Sequence, residues 1–160
     1  PEAFVVRHPP LAQNVSYPIK MAPGPSRSIT IYTGEDGAKV SLYSQALDVR
    51  AVGVTQNGTV TLPVAASVAG TIDVTVTKYE RMPYLGILTV TSSILKGDVD
   101  GNGKVDIVDA QRIASYAAGN PTYHLIAESA DVNCDGAINQ DDALLVADKY
   151  VGKISAFPCH

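Results

Sequence analysis

Two modules are predicted for this chain of 160 residues: an all-β sandwich followed by a small all-α unit. Three observations predict them. Six segments rich in Val, Ile, Thr and Tyr precede residue 95, two amphipathic helical segments follow it, and an acidic, glycine-punctuated loop occurs twice in the second half. The boundary is placed between residues 94 and 95, so the modules are expected at 1–94 and 95–160.

The β segments are "SITIYT" (28–33), "AKVSLYS" (38–44), "ALDVRAVGVT" (46–55), "GTVTLPVA" (58–65), "TIDVTVTKY" (71–79) and "LGILTVTS" (85–92). Several alternate apolar and polar residues with period two, which turns one face of a strand inward. "GEDG" (34–37), "QNG" (56–58) and "SVAG" (67–70) supply turn residues between them. Short strands at this spacing predict a sandwich of immunoglobulin type. Residues 1–13, with "HPPL", are expected to be an entry strand or the tail of a preceding module.

In the second half, "IVDAQRIASYAAG" (107–119) sets Ala110, Ile113, Ala114 and Ala117 on one helical stripe. "DDALLVADKYVG" (141–152) does the same with Ala143, Val146, Ala147 and Tyr150. Both end in Gly, a common helix stop. "NPTYHLIAESA" (120–130) reads as a connector opened by Pro, with room for a short helix.

"GDVDGNGKVDIVD" (97–109) crowds four aspartates and an asparagine around glycines. Such crowding costs mutual repulsion unless a cation sits among the carboxylates. Aligning Asp98 with Asp131 gives an offset of 33 and brings a second copy, "ADVNCDGAINQDDA" (130–143), into register. A calcium loop of the EF-hand kind needs oxygen ligands at positions 1, 3, 5, 7, 9 and 12 and Gly at position 6. The first copy supplies Asp98, Asp100, Asn102, Lys104, Asp106 and Asp109, with Gly103; the second supplies Asp131, Asn133, Asp135, Ala137, Asn139 and Asp142, with Gly136. Lys104 and Ala137 need offer only a backbone carbonyl. Two complete sets in register predict two calcium ions. Val105 and Ile138, at position 8, could join the loops through a short backbone bridge. Position 12 is Asp instead of Glu, one methylene shorter, so the following helix must sit closer to the ion. No helical pattern precedes loop 1, so the unit is loop–helix.

These residues, from about Lys96 to Phe157, resemble the dockerin module of cellulosome systems: duplicated loop–helix calcium units, Asp at position 12, a connector and a short apolar tail. The resemblance implies docking onto a cohesin domain carried by a scaffoldin or cell-surface anchoring protein, in an extracellular, bacterial setting. It implies partner contacts from loop positions 10 and 11 and from outward helix positions. These are Ile107, Val108, Gln111, Arg112 and Ser115 in repeat 1, and Gln140, Asp141, Leu144, Leu145 and Asp148 in repeat 2. The two sets differ chemically, which predicts one preferred face. The stretch "GAKVSLYSQ…GTVTLPV…GTIDVTVTKYERMPYLGILTV" is similar both to the X-type modules that precede some dockerins and to the immunoglobulin-like modules that follow secreted peptidase domains.

The remaining chemistry excludes several classes. The net charge of −4 disfavours a nucleic-acid or anionic-membrane partner, and no apolar run approaches the ~18 residues of a spanning helix. His8, His124 and His160 have no metal-ligand spacing, and paired carboxylates occur only in the calcium loops. A non-catalytic fragment is expected. The chain has no Trp, which favours a spacer and stabiliser role for the sandwich over sugar binding. An adhesive or carbohydrate-binding surface module clipped by calcium is the alternative to docking. The chain opens on Pro1 without a leader, and is expected to be the C-terminal piece of something longer. Low charge (18%) suits a secreted surface, where Cys134 and Cys159 could pair. Alternatively, the tail clasps the first repeat through Ile154 and Phe157.

Overall fold

The computed structural model describes residues 13–120 and 125–159. The strands are β1 (Lys20–Met21), β2 (Gly24–Tyr32), β3 (Lys39–Ser44), β4 (Val49–Val54), β5 (Thr59–Ala66), β6 (Gly70–Thr77) and β7 (Tyr84–Val90). They form a five-stranded sheet, β1-β7-β6-β3-β4, facing a two-stranded sheet, β2-β5. All pairings are antiparallel except β1 with β7. The β3–β6–β7 trio opposite a β2–β5 pair is the immunoglobulin-like arrangement. Ile29, Ile31, Leu62 and Val64 from one sheet meet Val40, Leu42, Ile72, Val74, Val76, Leu88 and Val90 from the other, all buried. Each group occupies alternate positions of its strand, as the period-two pattern requires. Tyr17 also enters this core, and its hydroxyl lies against β7 so closely that a Cβ at Gly86 would overlap it.

Three details depart from the expected elements. The third segment starts as a strand only at Val49, because Gln45–Asp48 form a turn with Asp48 at φ 51° and its N–H bonded to Gln45 O. The two-residue β1, between Pro18 and Pro23, is too short to show a period. β2 begins four residues earlier than expected, across an irregularity between Gly24 and Arg27. Residues 1–12 of the expected entry segment lie outside the described residues, as do His8, His124 and His160. Gln13 is described, and its side chain donates to Val76 O and Met82 O.

The second half contains α1 (Ile107–Ala117), α2 (Ala127–Ala130) and α3 (Gln140–Tyr150). α1 and α3 pack together around Ala110, Ile113, Ala143 and Val146, joined by Val99, Leu125, Ala130, Val132 and Phe157. The stripes end one turn early: Ala117 and Tyr150, both expected inside, are exposed. Among the described residues no helix is long and apolar enough to cross a membrane.

The two halves touch through polar and apolar contacts. Lys20 Nζ donates to Gly101 O (2.8 Å), Ala22 N donates to Glu128 Oε1 (3.2 Å), and Arg27 lies 3.5 Å from the same carboxylate. Ile19 closes over Gly101. The junction residues Ile94 and Leu95, expected at this contact, contribute less: Ile94 is half-buried and Leu95 is 49% exposed. The chain instead turns sharply there, and the β1 stretch supplies the packing.

Candidate metal centre and docking face

Each loop folds around its own carboxylates. In loop 1, Asp98 Oδ2 accepts from Gly103 N (2.9 Å), Asp100 Oδ1 from Asn102 N (3.0 Å) and Asn102 Oδ1 from Lys104 N (2.8 Å). In loop 2, Asp131 Oδ2 accepts from Gly136 N (3.1 Å), Asn133 Oδ1 from Asp135 N (3.0 Å) and Asp135 Oδ1 from Ala137 N (2.8 Å). The same bonds recur 33 residues apart. Gly103 and Gly136 both have φ near the left-handed region's glycine-favouring values, 89° and 86°, and make the turn that wraps the chain inward.

Positions 9 and 12 do double duty. Asp106 caps α1 by accepting from Val108 N, and Asp109, at N3, accepts from Asp106 N; Asn139 and Asp142 repeat this box on α3. Asp109 Oδ1 also accepts from Val99 N (2.9 Å) and Asp100 N (3.3 Å), and Asp142 Oδ1 from Val132 N (2.9 Å) and Asn133 N (3.3 Å). Both position-12 carboxylates are fully buried. The capping role was legible as Asp-x-x-Asp and Asn-x-x-Asp at the helix starts, a capping-box spacing with Asp in place of Glu.

These arrangements fit a divalent cation. Oxygens of Asp98, Asp100 and Asp109 all lie within 4.8 Å of one another. In both loops the position-1 carboxylate keeps one buried oxygen, Asp98 Oδ1 and Asp131 Oδ1, without a hydrogen-bond partner in the structure. A buried carboxylate oxygen is costly to leave unpaired, and an oxygen-seeking cation satisfies it.

Electrostatics point the same way. Burial pushes the Asp109 carboxyl above the ordinary aspartate range, against three backbone N–H bonds that pull it down, and the neighbouring Asp100 charge adds to the rise. Asp135 moves the other way, lowered first by its bond from Ala137 N and then by Asn133. Asp109 therefore favours the folded, metal-free module as pH falls just above the ordinary aspartate pKa, whereas the contribution of Asp135 is lost as pH falls through its lowered pKa, so the two oppose each other. The calcium-loaded module loses stability as pH falls, because protons compete with the ion for the carboxylates. In excess calcium, the melting temperature followed by circular dichroism should fall as pH is lowered from about 7 towards the ordinary aspartate range, and an unchanged melting temperature would contradict the argument.

The two loops are not joined at position 8. Among the described residues no backbone bond links Val105 to Ile138; both side chains pack on the helical core. Position 2 instead ties each loop to the segment that follows its own helix. Ile126 N donates to Val99 O (2.9 Å), and Cys159 N donates to Val132 O (3.3 Å), a pair of bonds again 33 residues apart. Lys96 Nζ reaches Asp131 O (2.7 Å) and ties the start of one loop to the other.

The same equivalence places the disulfide. Cys134 and Cys159 are bonded, with Cα atoms 5.5 Å apart. Their counterparts are Gly101 and Ile126, which touch by packing alone. Phe157 is also buried against Gly97, and Ile154 packs on the helical core, so covalent bond and tail clasp coexist. The bond spans 25 residues that include most of loop 2 and all of α3. Replacing both cysteines by serine should destabilise the helical module by about 3 kcal/mol, from restored freedom of the unfolded chain. Calcium-loaded thermal melts of the double variant test this, and an unchanged melting temperature would refute it.

The outward residues divide unevenly. Ile107 and Val108 are 42% and 40% exposed, and Gln111 is exposed. Ser115 is half-buried. Arg112 leans back to the calcium loop, its Nη2 3.6 Å from Asp100 Oδ2. In repeat 2, Gln140, Asp141 and Leu144 are exposed, Leu145 is half-buried on the helical core, and Asp148 pairs with Lys153 Nζ (2.9 Å).

Residues 96–150 match the dockerin type I domain. The helical half of this chain is a dockerin. Dockerin type I domains bind calcium, in keeping with the carboxylate geometry above. No curated protein matches the chain. Among solved structures, a complex of the third cohesin of ScaC with the ScaB dockerin of Acetivibrio cellulolyticus, altered in its N-terminal helix, is 40% identical, with a TM-score of 0.39. That match covers 41% of this chain and 94% of the other. The Arg-specific cysteine proteinase gingipain R is 15% identical with a TM-score of 0.45, and the complex of Porphyromonas gingivalis RgpB pro- and mature domains is 14% identical with the same score. Each of these two matches covers 51% of this chain and 19% of the proteinase chain, so this chain spans about a fifth of their length. The dockerin is a non-catalytic module preceded here by a β-sandwich.

Proposed function

We propose that this chain is a calcium-dependent docking fragment. Its dockerin binds a cohesin on a scaffoldin or cell-surface anchoring protein, and so tethers a secreted parent protein into an extracellular assembly of the cellulosome kind. Two calcium ions hold the dockerin, one on Asp98, Asp100, Asn102, Lys104 O, Asp106 and Asp109, the other on Asp131, Asn133, Asp135, Ala137 O, Asn139 and Asp142. The observation that carries the reading is the recurrence, 33 residues apart, of one buried unpaired carboxylate oxygen per loop, Asp98 Oδ1 and Asp131 Oδ1. Chance acidic turns have no reason to leave the same oxygen buried twice. The sandwich serves as a spacer that also stabilises: Lys20 and Ile19 pack on loop 1, and Ala22 and Arg27 hold Glu128 of α2. The test is binding to a panel of immobilised cohesins with calcium and with EDTA. Retention by at least one cohesin in calcium, lost in EDTA, supports the proposal. Retention unaffected by EDTA, or none across a broad panel, overturns it.

A further inference from the structure

The two calcium loops share a backbone but not a charge, and one residue outside them offsets the difference. Loop 1 carries four ligand carboxylates (Asp98, Asp100, Asp106, Asp109), loop 2 three (Asp131, Asp135, Asp142). At the register position where loop 1 has Asp100, loop 2 has Asn133. At the register position where α1 has Arg112, α3 has Leu145. The charged pair and the neutral pair replace each other together. The contacts agree with the chemistry. Asp100 turns Oδ1 into the loop, to Asn102 N, and Oδ2 towards the Arg112 guanidinium at 3.6 Å. Asn133 instead spends its amide within its own loop, Nδ2 donating to Asp135 Oδ2 (3.0 Å), while Leu145 packs on the helical core.

We propose that Arg112 is a positioning residue that sets the calcium affinity of loop 1, a fixed counter-charge on the carboxylate of Asp100. The inference rests on the two-ion reading above. The Arg112 and Asp100 side chains are only 21% and 11% exposed, so their interaction is screened less than that of a surface pair. Of the other charges that distinguish the loops, Lys104, Asp135 and Asp141 are exposed and count for less, while Asp106, opposite Asn139, caps α1 by accepting from Val108 N. A guanidinium beside a ligand oxygen repels an incoming divalent ion and relieves repulsion among the four carboxylates when the ion is absent. Loop 1 thereby gains a fourth ligand charge without the full rise in affinity that such a charge would bring. It also follows that Arg112 is held by the loop and is not an independent partner contact.

The experiment is calorimetric calcium titration of the metal-stripped full chain, at low and high salt. The chains compared are wild type, Arg112→Leu (the residue repeat 2 uses), Arg112→Gln and Arg112→Lys. The neutral variants should raise the product of the two stepwise binding constants about tenfold at low salt, with the gap narrowing at high salt. Arg112→Lys should stay near wild type. Arg112→Gln keeps length and polarity, so it reports on charge even if Leu disturbs packing. Affinity unchanged or weakened in both neutral variants would overturn the proposal, as would a gap that ignores salt, since a merely structural arginine gives that pattern. A wild-type chain that takes up no calcium would defeat the two-ion reading itself, whereas normal uptake with indifferent variants defeats only the role of Arg112.

Discussion

Chelating calcium should unfold the helical module and leave the sandwich standing. The sandwich core is built from long β-branched and aliphatic side chains on two sheets. The helical core is smaller, and three of its nine buried members are alanine. Against that modest burial stand Asp109 and Asp142, both fully buried, and the unpaired oxygens of Asp98 and Asp131. Buried charge without a partner costs several kcal/mol per group, roughly the whole stability of a small domain. An ion present at a thousand times its dissociation constant returns about 4 kcal/mol, so on the two-ion reading proposed above calcium decides whether the module folds. The disulfide shortens the unfolded chain but neutralises no charge. In EDTA the helical circular dichroism of the full chain should fall while the β-signal stays, with recovery on adding calcium. Full helicity in EDTA would refute the account.

The second large effect concerns which face meets the partner. Ile107 and Val108 stand exposed side by side at the start of α1, held there because their neighbours Asp106 and Asp109 are turned inward as the two halves of its capping box. The equivalent positions of α3 are Gln140 and Asp141. A pocket that accepts two β-branched side chains would have to bury Asp141 unpaired in the reversed orientation, at a cost of several kcal/mol. Ile107→Asp combined with Val108→Asp should therefore weaken binding to a cognate cohesin by at least about a hundredfold. Leu144→Asp, on the rival face and 59% exposed, should leave it nearly unchanged. Leu145 is unsuitable for this comparison because it packs on the helical core, where an aspartate would unfold the module and mimic a loss of binding. Surface plasmon resonance with both variants, each checked for calcium-dependent helicity, separates the faces. Loss with Leu144→Asp alone would move the site to repeat 2, and mild losses in both would mean that either orientation binds.

Much of this was open to a reader of the residues, for local reasons. A strand with one buried face announces itself by alternation, so the segments that became β2 to β7 were visible in "KVSLYS" and "TIDVTVT". A calcium loop needs oxygens at set spacings within a dozen residues, so both sets could be read without knowing where the chain goes next. The dockerin resemblance followed from the same residues and agrees with the family match over 96–150.

What escaped notice depends on partners distant in sequence. β1 is two residues long and exists because β7 offers an edge beside it. Leu95 looked like interface material, yet Ile19 and Lys20, some eighty residues from Gly101, took that place. Val105 and Ile138 have the right apolar character to bridge the loops, but the helical core takes both side chains, and the backbone bonds at position 2 tie each loop to Ile126 or Cys159, outside both loops. Arg112 read as a surface residue until the fold set it against Asp100. The sequence by itself determined the class of each module, the recurrence of the acidic loop and the chemical inequality of the two repeats, because these depend on spacing and on residue type. Only the tertiary structure decided which oxygens are buried without a partner, which outward side chains stay exposed, and that a guanidinium stands against Asp100 of loop 1. Those depend on which surfaces meet once the chain has closed on itself, and no local pattern encodes that distance.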